Sequence, residues 1–151
     1  EDNARKINAI LQAINPDAAR DIVPLGRVDS MLEVQARLDD GHLVGFLADR
    51  SLTGDALQTI PFLGEPAQWP VGPWRVAAML RRPVFFMVGL YLGGNRYQVR
   101  LQRIADFSHT TRATRSADIR AAMQAYVQCL EAGCRQAPYN WFNFFDFWQK
   151  K

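Results

Sequence analysis

Cysteine and histidine are scarce in this chain, two of each in 151 residues. Cys129 and Cys134 stand five apart in a helical pattern, which puts them on different faces and argues against a disulfide between them. With no second Cys or His cluster, a zinc-type ligand set is missing too, and no metal is expected. A reducing, cytoplasmic setting fits this cysteine usage. No apolar run approaches the roughly 20 residues that cross a bilayer as a helix. The longest, from Pro83 to Leu92, is about half of that and rich in strand formers. A Gly-x-Ser-x-Gly elbow and a Gly-rich phosphate loop are both absent, which sets aside serine-hydrolase and nucleotide-phosphate chemistry. There is no signal peptide, internal repeat or low-complexity stretch.

What is present is ordinary globular material. Hydrophobic residues make up 48% and charged ones 22%, enough apolar surface for a core of several packed elements. Net charge is +3, and of 18 basic residues only Lys6, Lys150 and Lys151 are lysine, leaving 15 arginines. Arginine forks onto phosphate and carboxylate and snorkels at a membrane surface; the Arg codons of a GC-rich genome account for the same bias. The chain opens Glu1-Asp2-Asn3-Ala4 without Met, and Ile7, Ile10, Leu11 and Ile14 show a helix already under way. It reads as a piece of a longer protein.

Periodicity predicts an amphipathic helix over residues 3–15, stopped by Asn15-Pro16, then a short strand at Ile22-Val23-Pro24-Leu25. Ser30 with Glu33 forms a capping box for a helix carrying Met31, Val34 and Leu38 and ended by Gly41. His42 to Ala48 is an apolar run that predicts a strand buried on both faces, ending at Asp49-Arg50-Ser51. Leu57 to Leu63 predicts a strand, Gly64 to Val71 a Pro- and Gly-punctuated loop, and Gly72-Pro73 a helix start with Val76, Ala77 and Leu80 inward, closed by Arg81-Arg82. Pro83 to Leu92 predicts another buried strand. Gly93-Gly94-Asn95 is a hairpin turn into a strand alternating Tyr97, Val99 and Leu101 with Gln98, Arg100 and Gln102. After a polar loop over 106–115, Ser116 caps a long helix whose apolar face is Ile119, Met123, Tyr126, Val127 and Leu130, ended by Gly133. Helices and strands alternating in this way predict an α/β layer with a largely parallel sheet flanked by helices.

Three segments stand out together: GHLVGFLADRS; IPFLGEPAQWPVGPWRVAAMLRRPVFFMVGLYLGGNRYQVRL; and PYNWFNFFDFW. Their order and spacing resemble the bacterial lipid A biosynthesis acyltransferases, whose pattern runs from a strand ending in Asp-Gln through Pro-Phe-Phe-Gly, a Gly-Pro helix, an apolar strand and a hairpin to Pro-x-x-Trp and a second Trp seven residues on. Asp49, Pro61-Phe62-Leu63-Gly64, Gly72-Pro73, Pro138, Trp141 and Trp148 stand at the matching places, and the resemblance covers roughly residues 28–148. Arg50 replaces the usual Gln, and Asn143-Phe144-Phe145-Asp146-Phe147 replaces an Arg-rich stretch, which leaves the acceptor open to lipids other than a lipid A precursor. The resemblance implies a glycerolphosphate-acyltransferase-like α/β fold, of which residues 1–151 are the C-terminal portion of one domain.

The family's catalytic motif is His-x-x-x-x-Asp/Glu. Here His42 is followed five residues on by Leu47, and His109 by Thr114, so neither fits; His42 reads as a strand-edge residue and His109 as an exposed one. Acyl transfer to a hydroxyl needs a base at the attacking oxygen and donors or a cation for the oxyanion. The resemblance implies that this dyad lies upstream and that Asp49, at the end of a buried strand, supports the site; as a lone residue Asp49 also reads as a turn cap. Arg50, Phe62, Gly64 and Arg75 are candidate substrate-binding residues, Arg75 with Arg81 and Arg82 facing anionic headgroups or an acidic carrier protein unless they are a solvated helix face. Trp141, Phe144, Phe145 and Trp148 suit a membrane interface or apolar groove, or else pack as core. Leu90-Tyr91, Trp69 and Trp74 are candidates for an acyl-chain groove, again with core as the alternative.

The function implied is transfer of a fatty acyl group from acyl-carrier protein or acyl-CoA to a hydroxyl of a membrane glycolipid, at the cytoplasmic face of the bacterial inner membrane, with no cofactor. The rival is a non-catalytic lipid- or partner-binding module of the same fold. A nucleic-acid-binding domain is set aside, because the arginines are scattered and the aromatics sit on apolar segments rather than between basic residues.

Overall fold

The computed structural model describes residues 13, 22–23, 28–51, 54–141, 143 and 146–148. Two compact units divide the chain, Glu1–Gly45 and Phe46–Lys151. The helix expected over 3–15 lies outside the described residues except for helical Ala13; Ile22 and Val23 carry no strand, and the rest of that expected strand is also outside them.

In the first unit, helix α1 spans Val28–Asp39. It starts two residues before the expected cap, so Ser30 is a buried residue of the helix rather than its N-cap. Glu33 accordingly faces forward, taking both Nε and Nη2 of Arg37 one turn on. Gly41, at φ +84°, ends the helix in the left-handed conformation that suits glycine.

The second unit holds β1 (Leu57–Phe62), β2 (Glu65–Pro70), α2 (Gly72–Met79), β3 (Pro83–Tyr91), β4 (Tyr97–Asp106), α3 (Arg115–Gln136) and a 3-10 turn at Pro138–Asn140. The described residues therefore form a mixed α/β structure of three α-helices and two antiparallel hairpins, β1–β2 and β3–β4. The expected parallel ladder is not among them. Both pairs are joined by loops too short for the crossover that a parallel pair requires. The run His42–Ala48 corrects a second expectation: it pairs with no described strand, and its side chains stand in the open, Leu43 at 92% and Leu47 at 76% exposure, with only Ala48 buried.

The β2 strand occupies a stretch expected to be loop. Pro66 and Pro70 mask it, yet in a two-stranded ribbon each strand has a free edge where a missing N–H costs nothing. The turn between β1 and β2 places Leu63 at φ +52° and Gly64 at φ +97°, the pair of positive angles that a two-residue hairpin turn of type I′ needs. Pro73 enters α2 at its first turn. The face of α2 that turns inward carries Trp74 and Ala78, not the expected Val76, Ala77 and Leu80, which are half-buried.

On β3 only Phe86 and Leu90 are buried, so the strand is covered on one face rather than two. Its partner β4 turns its polar set inward. Register pairs Phe86 with Gln102 and Leu90 with Gln98, so Gln98, Arg100 and Gln102 share the face of the buried β3 residues, and Tyr97, Val99 and Leu101 face solvent. The side-chain hydrogen bonds agree: Arg100 donates to Gln136 of the helix Arg115–Gln136 (α3), and the Cys129 thiol of that helix donates to Gln102 of β4.

Helix α3 starts one residue before the expected cap and runs three past Gly133. Gly133 accepts from the Ala137 N–H inside a continuing helix, so it is not the terminator. Its stripe of Ile119, Ala122, Met123, Val127, Leu130 and Cys134 recurs every three or four residues and forms the spine of the core. Cys129 and Cys134 are free. No described helix is long and apolar enough to cross a membrane.

Candidate functional site

Phe62 is the centre of the second unit's core, with no exposed surface. Its ring meets Trp69, Trp141 and Phe147 edge-on at 5.3, 5.1 and 5.7 Å and stacks with Trp148 at 5.9 Å. Offset and edge-on pairs at these separations are the favourable ones for aromatic quadrupoles. The three indoles around it spend their N–H groups locally. Trp69 donates to the Ile60 carbonyl at 3.1 Å, Trp148 to the Phe62 carbonyl at 3.2 Å, and Trp141 to Asp49 Oδ2 at 3.4 Å. Trp69 thus ties β2 to β1, Trp148 ties the end of the chain to β1, and Trp141 ties it to Asp49.

Asp49 lies at a bend just after buried Ala48 and is half-buried. Its negative charge reaches two groups on α3. The phenol of Tyr126 is pushed well above its ordinary value, first by burial and then by the Asp49 charge and Cys134. Burial, Glu131 and Asp49 in that order push the Cys134 thiol up. Tyr126 also bridges the aromatic shell by edge-on contacts with Trp69, Trp74 and Phe86. One helical turn from these residues, Glu131 accepts the Leu63 backbone N–H at 3.1 Å on Oε2 and pairs with Arg135 through Oε1. The Arg135 bond, then the Leu63 bond, hold its carboxyl below the usual range. A carboxylate on α3 therefore pins the left-handed turn of the β1–β2 hairpin.

The structure brings together Asp49, Phe62, Trp141 and Trp148, with Gly64 in the adjoining turn. Phe62 is sealed and serves as the keystone of this cluster. Gly64 is exposed, with open space where a side chain would stand. Arg50 is exposed beside Asp49. Arg75 sits apart, on α2 at the other end of the β1–β2 hairpin. Phe144 and Phe145 lie outside the described residues. Trp69 and Trp74 are core, and Tyr91 lies exposed against Tyr97 at a ring separation of 5.3 Å. Leu90, with Phe86 and Val88, lines a hollow of about 240 Å³ closed on its other side by Cys129, Ala132 and Gly133 of α3. Both histidines are exposed.

Tyr126, Glu131 and Cys134 had not been singled out as site residues. Tyr126 and Cys134 had a signal in the sequence, since with Leu130 they continue one stripe at i, i+4 and i+8. Glu131 had none, because its partner is a backbone N–H 68 residues away.

An aromatic-walled corner with one half-buried carboxylate, on an α/β scaffold, defines a structured site without a metal cluster among the described residues. The family model for bacterial lipid A biosynthesis acyltransferases matches residues 19–150. The chain belongs to that family, whose activity joins an acyl donor to a lipid acceptor. No curated protein and no solved structure gave a match.

Proposed function

We propose that this chain is the C-terminal portion of an O-acyltransferase that moves a fatty acyl group from acyl-carrier protein or acyl-CoA to a hydroxyl of a membrane glycolipid, lipid A precursor or relative. The observation that carries the proposal is convergence. Three stretches of sequence that identify the family, around residues 49, 61–64 and 138–148, meet at one corner although up to 92 residues separate them. Core packing alone explains Phe62 and Trp148. It does not by itself call for a carboxylate beside them, which the Trp141 indole N–H reaches at 3.4 Å.

In this reading Asp49 is a supporting residue. It orients, or balances the charge of, a base supplied by a His-x-x-x-x-Asp/Glu motif on polypeptide ahead of Glu1. That base takes the hydroxyl proton as the oxygen attacks the thioester carbonyl, the C–S bond breaks, and the thiol leaves. Arg50 lies next to Asp49, placed to meet an anionic group of substrate. The open edge of β3 and the apolar run His42–Ala48 would join a larger, partly parallel sheet of the glycerolphosphate-acyltransferase type. Trp141 and Trp148 would lie toward the cytoplasmic face of the inner membrane, where the acceptor resides.

The test is acyl transfer from labelled acyl-carrier protein and acyl-CoA, by the full-length protein, to a lipid A precursor and to other glycolipids. Asp49→Asn is expected to lower kcat/KM on the order of 100-fold, the scale of a misplaced catalytic group. Full-length protein that binds donor but transfers nothing would replace this reading with the non-catalytic module. Full activity in Asp49→Asn would remove Asp49 from the site.

A further inference from the structure

Two helix arginines are answered one turn away: Arg37 pairs with Glu33, and Arg135 with Glu131. Arg75 on α2 and Arg120 on α3 have no carboxylate or hydrogen-bond partner among the described residues, and both line the same hollow of about 380 Å³. Gln58, Val71, Ser116 and Ile119 complete its wall. Ser116 and Arg120 are four residues apart on α3 and so share a face. The nearest acid on that stretch of helix, Asp118, is already occupied by the hydroxyls of Thr110 and Thr114 at 2.7 and 2.8 Å. The hollow thus holds two uncompensated guanidinium groups, a hydroxyl and a side-chain amide, with no negative charge on its wall.

Two forked donors presented to one hollow from different helices match the oxygens of a phosphate ester better than a carboxylate, which one arginine can saturate. Position narrows the ligand. Gln58 in the wall and Phe62 at the Asp49 corner lie four strand steps apart on β1, about 14 Å at ~3.4 Å per residue. An extended phosphopantetheine arm, with a phosphate at one end and the thioester at the other, spans a comparable distance.

We propose that the hollow between α2 and α3 is a phosphate-ester site, in which Arg75 and Arg120 hold the phosphate of the acyl donor's phosphopantetheine arm while its thioester reaches the Asp49 corner. The assignment of the phosphate to the donor rests on the acyltransferase reading above; the phosphate chemistry does not. It makes the two arginines donor-binding residues, outside the acyl-transfer step itself.

Equilibrium binding of phosphopantetheine and of pantetheine to the full chain tests this without any turnover. Phosphopantetheine is expected to bind more tightly than pantetheine and to weaken as salt is added. Arg75→Ala and Arg120→Ala are each expected to weaken it about tenfold, the scale of one charge-assisted contact. Pantetheine binding should not change. Arg75→Lys should recover part of the loss, and Arg96→Ala, in the β3–β4 turn, should recapitulate none of it. Circular dichroism melts of each variant separate lost binding from lost fold. Equal affinity for the two compounds, or an Arg96→Ala loss matching that of Arg75→Ala, overturns the site. Arginine-dependent binding to phosphatidylglycerol vesicles with no preference for phosphopantetheine overturns the donor assignment and makes the phosphate a lipid headgroup's. Arginine-dependent phosphopantetheine binding in a protein that shows no transfer would sustain the site while the catalytic reading fails.

Discussion

The β1–β2 hairpin turns Ile60, Phe62, Ala67 and Trp69 to one side, and all four are buried. The β3–β4 hairpin is the longer and more apolar of the two, yet one whole side of it, with Phe85, Met87, Tyr97, Val99 and Leu101, stands in solvent, Met87 at 70% and Val99 at 67% exposure. Hydrophobicity alone would rank them the other way. What separates them is the number of covering partners. The first hairpin needs one, and it receives both α3 and the Trp-bearing end of the chain. The second is apolar on both faces of β3, the mark of a strand meant to be covered twice, and the described residues cover it once. Contiguous exposed apolar surface of this kind marks an interaction face on most soluble proteins.

Substitutions can break that contrast. Phe62→Ala removes the ring that every other aromatic of the corner touches and should cost about 3–5 kcal/mol in urea unfolding. Met87→Ala, equally apolar, should cost under about 0.5 kcal/mol. A large loss at Met87 would mean that the β3–β4 face is covered in solution.

Alkaline pH is expected to act mainly on the first region, with the Cys129 thiol, also pushed up by burial, adding a share at the β3–β4 hairpin. Tyr126 and Cys134 have pKa values raised in the folded state, so their neutral forms stabilise it. That contribution is complete below their unfolded values, about 8.5 for a thiol and about 10 for a phenol, and is lost as pH rises beyond them. Melting temperature should therefore fall above about pH 8.5, and Tyr126→Phe with Cys134→Ser should flatten the decline. An unchanged slope in the double variant would place the titration elsewhere.

Smaller effects follow from the indoles. Trp148→Phe keeps a ring and removes one hydrogen bond to the Phe62 carbonyl, an expected loss of about 1 kcal/mol. Trp141→Phe should cost no more in stability, because its bond to Asp49 is longer, but should lower acyl transfer along with Asp49→Asn. A Trp141→Phe variant with full activity would show that the indole does not hold Asp49 for function.

The smallest effect is expected at Glu131. Its folded pKa is depressed, so its contribution is present above the unfolded carboxyl value and is lost as pH falls through the folded one. Glu131→Gln should remove a shallow acid limb from the stability profile and lower neutral-pH stability by the small height of that limb. An acid limb that survives the substitution would assign it to Asp106, whose carboxyl is lowered by its bonds from Ser108.

Local signals were read well where a local cause decides the outcome. Gly72-Pro73 opens a helix because proline suits its first turn, Gly93-Gly94-Asn95 turns a hairpin, and the stripe from Ile119 to Leu130 is buried as its spacing requires. Readings that needed a partner failed. The run His42–Ala48 is as apolar as a buried strand and pairs with no described strand. Alternation on β4 told which residues share a face but not which face is inside; the register with Phe86 and Leu90 decided that. The type I′ turn at Leu63-Gly64 went unread because proline on β2 looked like loop.

The site divides along the same line. Asp49, the Pro61–Gly64 segment, Trp141 and Trp148 were legible because each matches a family motif at the right spacing. Glu131 under the Leu63 turn, and Arg120 facing Arg75 across a hollow, were not, because each acquires its meaning from a group far away in sequence. Motif order by itself determined the family, and periodicity and local turn signals the described helices, the β3–β4 turn and the residues able to carry charge or ring. Tertiary structure alone decided which apolar faces are dry, which indole serves Asp49 and which arginines are left without a partner, since burial and pairing are properties of two surfaces and a sequence pattern describes one.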